Sequence, residues 1–321
     1  MPYDSIPMIL AVVMIAVAAV LCGLTIFGMA RMLLMPKRMT DGRALMVLHR
    51  LTPGDIGLEF EAVDFQVVDE GTGSKLKIAG WWIPTDGSHG KTAIILHGYS
   101  DAKVGGIAWA PLLRSFGFNV LALDLRAHGE SGGKYTTAGF FERHDISQVI
   151  DQLKASRPQE TRQIVLFGAS LGAAIAAATA AIRDDLWAVI LESPYANFRS
   201  AAFYHGDRLG TPGPFFQKKA FRLAEYLTGA DFDVVAPTTT IPKIRCPLLV
   251  VQAGDDPFLS RADLDEVRSA VESREKTCGP SVCWRLGDCH HVVGLAQDPA
   301  EYRKKIEEFF SQIPQITHAS A

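Results

Sequence analysis

Between Ile6 and Ala30 the sequence has no charged side chain, and Asp4 is the single charged residue before that stretch. Cysteine is scarce, five in 321 residues, too few to form a disulfide framework. No excess of one charge exists: 32 Lys and Arg against 35 Asp and Glu leave a net −3, so nothing offers nucleic acid a basic footprint. A glycine-rich phosphate loop of the dinucleotide type is missing, because Gly105-Gly106 is too short a match, and no cofactor is expected. Cys278, Cys283 and Cys289 lie near His290 and His291, but four and five residues separate them rather than the two of a C-x-x-C. No metal is expected there. Outside the apolar N-terminal run there is neither an internal repeat nor a low-complexity tract.

What is present is a chain long and apolar enough, at 48% hydrophobic residues, for one large α/β core. The 25 uncharged residues from Ile6 to Ala30, at about 1.5 Å each, are sufficient to cross a hydrocarbon layer of roughly 30 Å. The competing reading is a cleaved signal peptide. The run exceeds the usual apolar region of one, no Lys or Arg precedes it, and Gly28-Met29-Ala30 is a weak cleavage match. Residues 1–30 are therefore expected to be an uncleaved transmembrane anchor. Arg31, Lys37, Arg38 and Arg43 follow it, which places the body on the cytoplasmic side and sets these cations against anionic headgroups.

Residues 31–58 read as a juxtamembrane connector broken by Pro36, Pro53 and Gly54. Two strands, Glu59–Val68 and Leu76–Ile83, are expected next, antiparallel and with Trp81-Trp82 at the sheet edge. From Thr92 onwards short apolar runs alternate with helical segments, the pattern of a mostly parallel, doubly wound sheet. The strands predicted are 92–96, 120–123, 164–167, 188–191, 248–252 and 282–286. The helices predicted are 107–116, 140–156, 171–183, 261–273 and 299–313. Between about 195 and 240 the alternation is interrupted by Pro-Gly breakers and an apolar helix near 215–227, read as a small helical cap. The main domain is thus 59–313 and a tail follows at 314–321.

The order Ile164–Phe167, Gly168-Ala169-Ser170-Leu171-Gly172, then an alanine-rich run, is strand, tight turn and helix. That context exposes Ser170 at a sharp turn and aims the following N–H groups at the same spot. By itself the motif is weak, since Gly and Ser are common in turns. In an open parallel sheet the ligand site lies beyond the carboxyl ends of the strands. There the sequence places His97-Gly98-Tyr99, the run Asp124 to Gly132, Ala253-Gly254-Asp255-Asp256-Pro257-Phe258, and Gly287-Asp288-Cys289-His290-His291. Serine, carboxylate and histidine follow three different strands, in that chain order.

This order, with the G-W-W-I-P strand, the H-G-Y turn and the D-L-R-x-H-G-E-S-G loop, resembles the α/β-hydrolase superfamily over about residues 56–313. It is most similar to small membrane-anchored serine esterases and the serine-aminopeptidase-like branch. The resemblance implies a Ser–Asp–His triad, an oxyanion hole lined by amides, and an α/β-hydrolase fold. It puts the aspartate directly before the proline of A-x-x-D-P-F, which favours Asp256 with Asp255 as the alternative; Pro257 also biases residue 256 towards extended backbone. It puts the histidine seven residues before a D-P-x-x-Y helix start, which favours His291 with His290 as the alternative. Leu171 N–H, next after the nucleophile, is expected to be one oxyanion donor, and the resemblance implies Tyr99 N–H as the second.

The chemistry agrees. A serine hydroxyl needs a base to take its proton, a histidine serves near neutral pH, and a carboxylate behind it fixes the tautomer. Developing charge on the substrate oxygen needs preorganised donors. His97 and His128 read as structural members of their turns, and His144 and Asp145 as a solvated or capping pair. The function expected is hydrolysis of an ester or thioester, with an acyl-ester or lipid-like substrate and an anchor that supplies location rather than chemistry. A peptidase, an acyltransferase and a catalytically idle binding scaffold are the alternatives.

Overall fold

The computed structural model describes residues 6–87, 90–275 and 278–314. The first five residues of the expected anchor and all but Pro314 of the expected tail lie outside them. Helices α1 (Ile6–Leu34) and α2 (Asp41–Leu48) precede a single eight-stranded sheet. Its strands are β1 (Glu61–Val68), β2 (Lys75–Ile83), β3 (Lys91–Leu96), β4 (Asn119–Leu123), β5 (Gln163–Ala169), β6 (Ala188–Glu192), β7 (Leu248–Ala253) and β8 (Ser281–Leu286). They lie in the order β1-β2-β4-β3-β5-β6-β7-β8. Strands β3 to β8 are parallel, and β2 is antiparallel to both neighbours. The chain reverses its direction of travel across the sheet between β3 and β5, which creates the crevice where such folds bind ligands.

Strands β4, β5, β6 and β7 are buried at every position, the reason they read as continuous apolar runs. Alternate side chains serve two cores. Ile94, Leu96, Leu166 and Val250 pack with α5 (Glu142–Ser156), α6 (Leu171–Ala180), α8 (Pro214–Thr228) and α10 (Arg261–Glu272). Ala93, Ile95, Phe167 and Val251 pack on the other face with α3 (Lys103–Gly106), α4 (Ala110–Ser115) and α12 (Pro299–Ser311). Burying each large side chain contributes about 1.5–3 kcal/mol. The remaining helices are α7 (Phe198–Arg208), α9 (Pro237–Thr240) and α11 (Gly294–Gln297).

Several local expectations are revised. Trp81 and Trp82 are not at the edge: β2 is one strand in, and the two indoles enter opposite cores. The helix expected over 107–116 is a 3₁₀ turn at Ile107–Trp109 followed by α4, with the short α3 just before them. Pro111 explains the restart, since proline is tolerated only in a helix's first turn. Between 195 and 240 there are two main helices rather than one. The first, α7, is capped by Asn197, whose side chain accepts the N–H of Ser200 at 2.7 Å.

The largest departure concerns α1. It continues past Ala30 to Leu34, and both residues are buried in the same core as Phe221 and Ala224 of α8. The Leu34 carbonyl accepts the N–H of Thr136 at 2.8 Å. Arg38, expected to face headgroups, instead points its guanidinium into a ring of carbonyls: His128 at 3.0 Å, Gly129 at 2.6 Å, Ser131 at 2.7 Å and Gly133 at 3.1 Å. A planar fork of donors suits such a ring. The helix end and the connector are built into the body.

Candidate active site

Ser170 stands between β5 and α6 at φ 53° and ψ −113°, a conformation L-residues rarely adopt. Such a backbone costs about 1–3 kcal/mol and persists only where its surroundings enforce it. Two glycines do so. A Cβ on Gly168 would lie 2.1 Å from the Gly172 carbonyl, and one on Gly172 would lie 2.1 Å from the Leu96 carbonyl. Strand, helix and the end of β3 therefore approach more closely than any side chain allows. The Ser170 N–H is tied to the Glu192 carbonyl of β6 at 2.9 Å.

Around this turn the ends of β7 and β8 bring two more side chains. His291 Nε2 lies 2.9 Å from Ser170 Oγ, and its Nδ1 lies 2.5 Å from Asp256 Oδ2. The Asp256 carboxyl is fully buried and His291 is 14% exposed. Asp256 Oδ1 accepts the N–H of Phe258 at 2.8 Å, which leaves Oδ2 for the imidazole. With a carboxylate at Nδ1, the proton sits there and Nε2 faces the serine hydroxyl as acceptor. Asp255 and His290 point outward, 76% and 66% exposed, and His290 Nδ1 reaches the Asp255 carbonyl at 3.0 Å.

Tyr99 and Leu171 flank the serine. Leu171 is the first residue of α6 and is buried. The turn carrying Tyr99 lies against Ser170, since a Cβ on Gly98 would be 3.5 Å from Ser170 Cβ. The Tyr99 hydroxyl donates to the Met32 carbonyl of α1, and burial pushes its pKa up to about 12. His97 holds the turn. Its Nδ1 donates to the Gly98 carbonyl at 2.7 Å and its Nε2 accepts the N–H of Leu125 at 3.1 Å. Burial lowers its pKa, so it stays neutral. His128, 4.9 Å away ring to ring, is held at about 3 by burial.

Three polar pairings under the site escaped the sequence reading. Lys103 Nζ bonds Asp124 at 2.7 Å and Glu130 at 2.6 Å beneath the His97 turn. Burial pushes the Asp124 carboxyl up, but the charge and hydrogen bonds of Lys103 outweigh it and leave it below its ordinary value. Asp145, expected to be solvated, is buried and grips Arg126 through two bonds of 2.6 and 2.7 Å. Its neighbour His144 meets Glu70 at 3.0 Å. Finally, Glu192 at the end of β6 is buried and accepts the Tyr302 hydroxyl at 2.6 Å, and burial raises its pKa to about 7. The apolar Tyr195 after β6 could have hinted at a covered pocket; Glu192 itself carried no signal. The thiol of Cys289, also buried, donates to the His290 carbonyl at 3.3 Å.

With this geometry in place, comparison with known proteins is informative. Residues 87–227 match the family model described as "Serine aminopeptidase, S33". The chain is 29% identical over 240 residues to the uncharacterized protein YqkD of Bacillus subtilis, covering 70% of this chain and 73% of that one. To the lysophosphatidylserine lipase ABHD12 of Gallus gallus it is 28% identical over 197 residues, 56% of this chain and 47% of the relative. The crystal structure of the Pyrococcus furiosus esterase Pf2001 superposes with a TM-score of 0.68 at 25% identity, over 88% of this chain and 99% of that one. Strand order and these likenesses give the chain the α/β-hydrolase fold. Of these similar proteins, ABHD12 is named a lipase and Pf2001 an esterase.

Proposed function

We propose that this protein is a membrane-anchored serine hydrolase that cleaves carboxylic esters or thioesters through an acyl-enzyme. The observation that carries the reading is the continuous relay from Asp256 through His291 to Ser170 at 2.5 and 2.9 Å. Ser170 Oγ attacks the carbonyl carbon while His291 Nε2 takes its proton. Asp256 orients the ring and stabilises the imidazolium. The N–H groups of Tyr99 and Leu171 receive the oxyanion. His291 then returns the proton to the leaving oxygen or sulfur, and a water activated by the same nitrogen releases the acid. No cofactor enters this cycle.

An ester or lipid-like substrate is favoured by the esterase and lipase relatives and by Phe258, whose ring lies 5.0 Å from that of His291. The anchor is α1, whose residues Pro7–Leu34 are long and apolar enough to cross a membrane. The cations after it favour a cytoplasmic body. The test is a panel of acyl esters, thioesters and peptides hydrolysed by the wild type beside Ser170→Ala. Turnover of esters or thioesters that vanishes in the variant supports the proposal. Peptide turnover alone, dependent on the same serine, would move the protein to the peptidase reading, and no turnover of any acyl bond would favour the idle scaffold.

A further inference from the structure

Helix α8 has a face that the fold does not use. Ala220, Phe221 and Ala224 are buried in the core that includes the end of α1, and α8 packs along α1. On the opposite side Phe215, Lys218, Lys219, Arg222 and Tyr226 are all exposed. At about 100° per residue these five fall within one arc of roughly 100°, a single stripe. Phe215 is 61% and Tyr226 84% exposed, large apolar areas left in water at the two ends. Between them stand three cations. Among the described residues none of the three forms an ion pair, and Lys219 instead lies 5.9 Å over the Phe215 ring. The acid of this helix, Glu225, is turned off the stripe and bound to Arg199 at 3.0 Å.

Aromatic residues flanking unpaired cations on one helical face are the composition of a helix that lies in a membrane interface. The level of α8 relative to α1 agrees. In α1 the exposed stretch Pro7–Leu24 is followed by the part-buried or buried Ile26, Met29, Ala30, Leu33 and Leu34. Eighteen exposed residues at about 1.5 Å span about 27 Å, close to the roughly 30 Å of a hydrocarbon layer. The segment of α1 that meets the body therefore begins where the headgroups begin, and α8 lies beside it.

We infer that the stripe Phe215, Lys218, Lys219, Arg222 and Tyr226 is a docking surface for an anionic lipid leaflet. It rests on the anchor reading of α1 and adds a second contact that fixes the body's orientation. The occupant is the bilayer surface itself: phosphates pair with the three cations while the Phe215 and Tyr226 rings enter the interface. Met32, exposed on α1, accepts the Tyr99 hydroxyl at its carbonyl, which ties this end of α1 to the turn against Ser170.

The test uses the full chain reconstituted in vesicles of phosphatidylcholine alone or with phosphatidylglycerol. Flotation reports whether the chain is held by the membrane, and a water-soluble amine-acylating reagent followed by mass spectrometry reports lysine access. Lys304, on α12 across the sheet, is the internal control. Flotation with both lipids, and Lys218 and Lys219 labelled about fivefold more slowly in anionic vesicles, is the expected result, with protection lost in high salt. Flotation with equal labelling in the two vesicle types would overturn the docking surface while leaving the anchor standing. Failure to float with either lipid would overturn both.

Discussion

The Tyr99 hydroxyl donates to the carbonyl of Met32, so the turn against Ser170 is bonded to the last turns of the apolar N-terminal helix. Two residues later Leu34 accepts from Thr136, and Arg38 closes the loop at 128–133. A chain begun at Asp41 would lose all of these contacts and uncover Phe221. Contrary to the expectation of a dispensable tether, it is expected to melt lower and to turn over short soluble esters more slowly than the full chain in detergent. Arg38→Ala in the full chain should show the milder version, about 1–3 kcal/mol of stability, read by denaturant titration.

Neighbouring residues separate the relay from its surroundings. Asp256→Asn should lower kcat by about 10⁴-fold, the cost of losing the orienting carboxylate in a Ser–His–Asp triad. Asp255→Asn, whose side chain is in solvent, should stay within a few-fold of wild type on the same soluble ester. His291→Ala and His290→Ala should divide in the same way. A dead His290 variant with an active His291 variant would reverse the assignment.

Glu192 makes stability depend on pH. Its folded pKa is raised from 4.5 to about 7 by burial, so the folded state holds a proton that the unfolded state releases. The native form is then fully favoured below about pH 4.5 and loses stability as pH rises towards 7, by a few kcal/mol at most. Glu192→Gln keeps an acceptor for the Tyr302 hydroxyl and removes the titration. The variant should gain in melting temperature relative to wild type between pH 5 and about pH 8. A constant difference across that range would place the proton elsewhere.

Gly172→Ala should be as damaging as Gly168→Ala, since each added methyl meets backbone at 2.1 Å. The added carbon meets the Leu96 carbonyl at 2.1 Å, and backbone cannot swing aside as a side chain would. Loss of soluble expression or a drop of several kcal/mol in denaturant titration is expected, as for overpacked cores at their worst.

The strands were legible because each doubly buried one is an unbroken apolar run, and β5, β6 and β7 were located to within two residues. Of the residues that the structure gathers at the crevice, Ser170 and Asp256 were legible because each follows such a strand, and His291 because it follows the part-buried β8 seven residues before Asp298-Pro299. Other features had no local period to read. Helix α7 mixes Phe, Arg, Ser and Asp, and only its Asn197 cap marks it. The Glu192–Tyr302 bond joins residues 110 apart, and Arg38 meets its carbonyls some 90 residues on. Pairings of that range are made by the fold and leave no trace in spacing. The depth to which α1 enters the core was hidden for a different reason, since a run apolar on every side does not say which side is covered.

The central claim is an activated serine at position 170. A fluorophosphonate probe reacts covalently with a serine whose hydroxyl is deprotonated by a neighbouring base, and tandem mass spectrometry of the adduct locates it. One adduct is expected, on Ser170, formed by wild type and by His290→Ala, and absent from Ser170→Ala and His291→Ala. No adduct on the folded wild type, or an adduct on another serine that survives Ser170→Ala, would contradict it.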